Sequence, residues 1–290
     1  MDDGFSLSPE MAAAAVFYAA VLTAIGACAS RFLIASRLSF ESRLHLERSA
    51  ASIGLTAAAV ACLALGLRAW THTLAAFGLT EAFDWQNIQL IAVESRWGQS
   101  WIRQAAAGLG MLVTFAAVKA AFKGGWALAA LAVALTIVTL PLTGHAAGSP
   151  GRLAVHAAHI TGAGLWLGSL AVLRFDASRM THNRPDLAAF RAFAGVAMTG
   201  VAVLVVSGLV VSSLYVGEPS HLASSAYGRT LLLKVCVVLS AGWCGYRNWR
   251  DLHGDAASRP NLVTARVTQE LTFGIVVVIL TGVLTGLPQP

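Results

Sequence analysis

The chain predicts an all-α fold, a polytopic transmembrane helical bundle, and three observations predict it. Of 290 residues, 57% are hydrophobic and only 12% charged, about half the charged share of a soluble domain. Apolar runs near the roughly 20 residues that cross a bilayer as helix recur along the whole length. The polar stretches between them, at 36–49, 71–99, 176–186 and 250–260, are each too short for a core of their own. The chain therefore reads as one transmembrane domain over 1–290.

Eight runs are expected to be helices. The first, 11–33, follows Asp2, Asp3 and Glu10, the wrong charge for a signal-peptide n-region, and is expected to be retained. The second is 50–67. After it, the short apolar pieces Thr73–Thr80 and Ile88–Val93 read as an outer loop lying on the bilayer surface. Runs three and four, 103–122 and 125–142, are parted by Lys123 and Gly124. The fifth, 154–173, follows a turn containing Gly148, Pro150 and Gly151. The last three are 187–215, 230–248 and 261–287. Residues 1–124 thus hold helices one to three with their loops, and 125–290 hold helices four to eight.

Charge sets the expected orientation. With the N-terminus outside, fourteen of the 20 basic residues fall at inner ends and loops. They cluster between Arg31 and Arg48, at Lys119 and Lys123, from Arg174 to Arg191 and from Arg247 to Arg266. Basic residues stay on the cytoplasmic side, so both termini are expected in the periplasm of an inner-membrane protein. The net charge of +6 then reports topology and contact with the anionic lipid bilayer, with no nucleic acid partner.

A short internal repeat is visible. Arg96-Trp-Gly-Gln-Ser enters the third helix and Ala226-Tyr-Gly-Arg-Thr the seventh, while Thr143-Gly144 closes the fourth and Thr285-Gly286 the eighth. These matches lie four helices apart, as a parallel four-plus-four repeat requires.

Chemistry concentrates around that turn. His145 precedes it, and His156 and His159, three apart, share a helix face beyond it. Ionisable groups in a membrane helix are costly. Three imidazoles meeting near the outer surface therefore suggest a transition-metal or haem site, and imidazole suits copper, zinc, nickel and iron. Trp166 continues their stripe. His45, His72, His182, His221 and His253 fall in loops, with His72 and His221 on the outer side. Cys28, Cys62, Cys236 and Cys244 lie in apolar helices without C-x-x-C spacing and read as packing residues. Lys234 and Glu270 are charges inside helices, too far apart along the bundle for a direct pair. Lys234 reads as an interhelical tether or interfacial anchor. Glu270 is either a carboxylate that receives a leaving cation or proton, or the partner of Arg191, Arg247 or Arg250.

Taken together, Gly144-His145, His156-x-x-His159 with Trp166-Leu-Gly168, Tyr227-Gly-Arg-Thr-Leu-Leu-Leu-Lys234 and Glu270 resemble the copper resistance protein D (CopD) family of membrane proteins. The likeness runs through the second half of the chain. It implies copper handling at the cytoplasmic membrane, described in the family as import from the periplasm with a CopC-type copper-binding partner, and no such domain is expected to be fused here. Met111 and Met198 are isolated on the implied path, with no Met-x-x-Met spacing for a Cu(I) relay. No nucleotide-binding motif or other enzyme chemistry is visible. Two rivals stand beside copper import: a b-type cytochrome in which His145 and His156 or His159 ligate haem b, and a factor that delivers copper to an oxidase without transporting it. An alkaline phosphatase fusion at Pro290 is expected to be active, and a fluorophore that matures only in the cytoplasm is expected to stay dark there; the reverse pattern overturns the helix count or the orientation.

Overall fold

The computed structural model describes residues 8–144, 148–179, 186–254, 260–288 and 290, with the side chains of 253 and 260–262 outside it. Among the described residues every regular element is helical. In chain order they are α1 (Pro9–Ala29), α2 (Phe40–Phe77), α3 (Trp85–Gln89), α4 (Arg96–Lys119), α5 (Gly125–Thr139), α6 (Pro150–Ala163), α7 (Ser169–Arg179), α8 (Leu187–Val216), α9 (His221–Ser224), α10 (Ala226–His253) and α11 (Pro260–Gly286). Three π turns interrupt them, Ser30–Ile34 after α1, Leu90–Glu94 after α3 and Gly164–Gly168 between α6 and α7. Lipid cannot satisfy backbone N–H and C=O groups, so helix is what a membrane-spanning chain of this composition must form.

Seven helical stretches are long and apolar enough to cross a membrane by length and composition. The expected fifth crossing exists as the run from α6 through its π turn to α7, but it is not among the seven. His156, His159 and four glycines dilute its hydropathy. Lipid-facing exposure fits a multi-pass membrane protein: Leu63, Leu209 and Leu239 are 75%, 69% and 68% exposed.

Alternate helix ends meet, which fixes the up-and-down course. At the upper end, where α1 starts, Glu10 contacts His72 near the end of α2, and Arg68 reaches Thr143 just past the end of α5. At the lower end Arg31 pairs with Glu47, His45 with Asp176, and Arg266 with Asp251.

Three expectations are corrected. The polar stretch 36–49 is not a loop: α2 begins at Phe40, ten residues before the apolar run, because Arg43 and Glu47 form an i,i+4 pair at 2.7 Å that supports helix beyond the lipid. Its far end likewise runs on to Phe77, where Gly78, at φ 83°, stops it. Within the expected surface loop, Thr73–Phe77 is therefore the end of α2, and 85–94 is a short helical segment rather than open coil. Hydropathy registers only the part of a helix that lipid surrounds.

The expected repeat has a local counterpart. Ser95 and Ser225 cap α4 and α10; each hydroxyl accepts the N–H three residues on, from Gly98 and Gly228, at 2.9 Å in both cases. Each hydroxyl also donates to the carbonyl four residues back, Ile91 at 2.6 Å and His221 at 2.7 Å. A Cβ on Gly98 or Gly228 would collide with the carbonyl seven residues back, Ile91 or His221. Ser8 and Ser149, each followed by proline, cap α1 and α6 in the same relation.

The helix run bearing the histidines is held by glycine on two faces. Gly168 lies against the Leu22 carbonyl of α1 and next to Gly26; Gly162 lies against the Gly200 carbonyl of α8. Small residues allow this backbone approach, which replaces the hydrophobic drive absent in lipid. Gly168→Ala is expected to lower stability by at least the roughly 1–3 kcal/mol of overpacking, whereas Gly66→Ala, where a Cβ meets nothing within 4 Å, is neutral. Thermal unfolding in detergent followed by size-exclusion fluorescence measures both.

Candidate functional site

A cavity of about 890 Å³ descends from the upper helix ends towards the middle of the bundle. Glu10, His72 and Tyr215 line its upper part and Trp166 and Leu167 its lower part. His156 and His159 both line it, as does Lys234.

The helical spacing of α6 puts the two imidazoles a turn apart on one face, and α8 holds both. The His156 Nε2 is 2.9 Å from the Tyr215 hydroxyl. The His159 Nδ1 is 3.2 Å from Ser207 Oγ. That serine hydroxyl lies 2.5 Å from the Val203 carbonyl, to which it donates its proton. Its oxygen therefore accepts from His159, which places the proton on Nδ1 and leaves the Nε2 lone pair unprotonated. Metal-ligating histidines are oriented in this way by a partner on the other nitrogen. Gly208 makes room for the ring, since a Cβ there would stand 3.2 Å from His159 Cε1.

His145, the third member of the predicted set, lies outside the described residues. Among the described residues no group of three or more His, Cys, Asp and Glu side chains could hold a metal ion. The part of the set that the described fold brings to one cavity is thus the pair.

The remaining histidines separate. His72, expected in a loop, belongs to α2 and lines the cavity; its Nδ1 is 3.1 Å from Glu10 Oε1 and its ring stacks on Trp97 at 4.1 Å. The sequence signal was the absence of any helix breaker between Leu67 and Gly78. His45, also helical, lies at the lower end with its Nδ1 2.8 Å from Asp176. His221 Nδ1 approaches the Val216 carbonyl at 3.2 Å. His182 lies outside the described residues, and so does the side chain of His253.

Trp166 forms part of the cavity floor and its indole N–H donates to Glu270 Oε1 at 2.6 Å. Both side chains are buried, and Gly245 of α10 leaves space for the carboxylate. Two of the three proposed arginine partners are otherwise engaged. Arg191 donates to the Leu252 carbonyl, and Asp251 takes Arg266 and, at 3.9 Å, Arg250. The Arg247 carbonyl accepts from Arg266, and among the described residues no arginine reaches Glu270. The carboxylate is an acceptor for tryptophan, not the neutraliser of an inner arginine.

Lys234 is not an interhelical tether. It lines the cavity, and among the described residues it has no hydrogen-bond or ion-pair partner. Met111 is fully buried in core packing and Met198 is 59% exposed on the outside of the bundle. Neither lines the cavity, so no methionine path connects them; Met11 of α1 does line it.

Sequence reasoning missed a polar knot on the first-half side of the cavity. Gln104, fully buried in α4, donates to the carbonyls of Thr139 and Leu140 at 3.0 and 2.7 Å and accepts from Arg68 at 3.1 Å. Those carbonyls are available because α5 tightens into a 3₁₀ turn at Leu140–Thr143 around Pro141, which has no N–H of its own. The charge that closes the second apolar run, Arg68, was the signal.

Two family models match the chain. One described as copper resistance protein D matches residues 187–284, and one described as copper resistance protein D-like, N-terminal domain, matches residues 5–155. No curated protein and no solved structure matches. The likeness thus extends into the first half, beyond the second-half motifs. His145 falls in the N-terminal match, Lys234 and Glu270 in the match over 187–284, and His156, His159 and Trp166 between them.

Glu270→Gln keeps an acceptor for the Trp166 N–H, whereas Glu270→Leu leaves it buried and unpaired. Leucine is expected to cost about 1–3 kcal/mol more than glutamine in thermal stability. Equal unfolding temperatures for the two variants would remove the hydrogen bond from the account.

Proposed function

Because the chain belongs to the copper resistance protein D family, we propose that it imports copper across the inner membrane, with the ion entering the cavity from the periplasmic side. The observation that carries this reading is the pair His156 and His159, hung from α8 by Tyr215 and Ser207 on the wall of one cavity. His145 is assigned to the set from its place in the sequence. A CopC-type periplasmic protein supplies the ion, and both termini face the periplasm.

The chain's own residues divide the work. His159, protonated on Nδ1, offers Nε2 to the metal, and His156 stands one turn nearer the surface. Trp166 closes the floor and holds Glu270 behind it, where a carboxylate receives a cation leaving the cavity. Net inward movement needs no nucleotide, since a membrane potential favours it by about 2.3 kcal/mol per charge per 100 mV.

The cavity's volume favours a second reading. About 890 Å³ is far more than one ion occupies and falls in the range of organic ligands, as a haem b ligated by His145 with His156 or His159 would require. A Soret band in the purified protein selects that reading over copper.

His156→Ala and His159→Ala are each expected to weaken copper binding more than tenfold, which is about 1.4 kcal/mol. His182→Ala and His253→Ala, on the cytoplasmic side, leave it unchanged. Competition titration measures the affinities, and copper uptake into proteoliposomes by a variant lacking all three site histidines measures transport. Equal affinity for wild type and the double variant His156→Ala/His159→Ala overturns the assignment.

A further inference from the structure

The matched serine caps set a register between α4 and α10. Counting from Gly98 and Gly228, Trp97 corresponds to Tyr227 and Gln104 to Lys234. The two halves treat this position in opposite ways. Gln104 is saturated by Thr139, Leu140 and Arg68 in a closed interior. Lys234 stands at the edge of an open cavity, has no partner among the described residues, and shares that cavity with both His156 and His159.

The charges around this ammonium are few. The cavity it lines also takes His156 and His159 from α6, Tyr215 from α8, Arg68 and His72 from α2, Glu10 and Tyr18 from α1 and Tyr227 from its own helix, and Arg152 of α6 stands over the Tyr215 ring. Glu10 is the one carboxylate lining the cavity among the described residues, and it is engaged by His72 at the upper end. A metal cation bound at the imidazoles would be a further positive charge beside Arg152, Arg68 and Lys234. Like charges in a low-dielectric cavity repel strongly. Arginine does not surrender its proton in a protein, whereas a buried lysine does so readily.

We propose that Lys234 makes the cavity an exchanger, in which copper binding at the histidine pair displaces one proton from the lysine. The Nζ–H bond breaks, its electron pair stays on nitrogen, and the proton leaves to the water above the cavity; nothing is oxidised or reduced. When copper departs the nitrogen lone pair takes a proton back from that same water and the ammonium forms again, so the empty cavity keeps a resident positive charge and the filled one gains no net charge for a monovalent ion. This rests on reading His156 and His159 as the copper site.

The test is a Cu(I) competition titration with a buffered chelator on the full-length protein in detergent, with proton release followed by a pH indicator. Working above about pH 7.5 keeps ordinary imidazoles neutral. Wild type is expected to release about one proton per ion bound, and its affinity rises with pH. Lys234→Met should bind at least tenfold more tightly and lose that proton, while Lys234→Arg, with a fixed charge, should bind at least tenfold more weakly. Lys234→Gln, carrying the side chain found at the matching position of α4, should follow Lys234→Met and guards against misfolding of the apolar variant. If the methionine and arginine variants shift affinity in the same direction, or if Lys234→Met releases the same proton as wild type, the exchange is overturned. The variant His156→Ala/His159→Ala separates the two ideas: wild-type affinity there sinks the site itself, whereas lost affinity beside unresponsive lysine variants sinks only the exchange.

Discussion

Close backbone contact at glycine positions the helix on which everything else depends. In water, a helix carrying two histidines and four glycines would be located by burying an apolar stripe. In lipid, burial gives no such preference, and location must come from contact distance and hydrogen bonds. Gly168 meets α1 at Leu22, Gly162 meets α8 at Gly200, and Gly274 of α11 meets Leu167. With these contacts fixed, the remaining surface of α6 lines the cavity. Its imidazoles then need only Tyr215 and Ser207 to set their orientation.

The π turn at Gly164–Gly168 belongs to the same arrangement. One extra residue in the turn changes the direction in which Trp166 leaves the helix, and such insertions recur at functional sites. Here the indole reaches Glu270 of α11, so one hydrogen bond links the floor of the cavity to the closing helix. α1 also leaves its α-helical course through a π turn, at Ser30–Ile34. The two helices that pack through Gly26 and Gly168 thus both depart from ideal geometry on the way to the lower end.

Much of the bundle was legible because lipid imposes a simple rule on composition. Helix identity and the alternation of ends follow from apolar runs and the placement of charge, and the three-residue spacing of His156 and His159 puts both on one cavity wall. What was not legible has physical reasons. The lower part of α2, around Arg43 and Glu47, is held by ion pairs in the aqueous layer, which a hydropathy window reads as loop. His72 looked like a loop residue for the same reason. The Arg68–Gln104–Thr143 knot joins residues 36 and 75 positions apart, a long-range match that no local pattern encodes. The partner of Glu270 was sought among arginines because charge is easy to count, whereas an indole N–H leaves no mark in a charge tally. The four-helix repeat was faintly visible in Trp97-Gly98 and Tyr227-Gly228. Its physical content, a serine that caps forwards and bonds backwards over a glycine, needed coordinates.

The length of α2 carries a mechanical consequence. Its 38 residues make a rod of about 57 Å, nearly twice the roughly 30 Å of hydrocarbon it crosses. Both ends must therefore stand in the headgroup layers or beyond, and tilt alone cannot hide the excess. Each end is fastened: Glu47 to Arg31 below, His72 to Glu10 above. A stiff strut clamped at both aqueous surfaces converts a change in bilayer thickness into rotation about its midpoint, and its upper end, with His72 and Arg68, forms part of the cavity wall. The shape of the chamber is in this way tied to the thickness of the membrane around it.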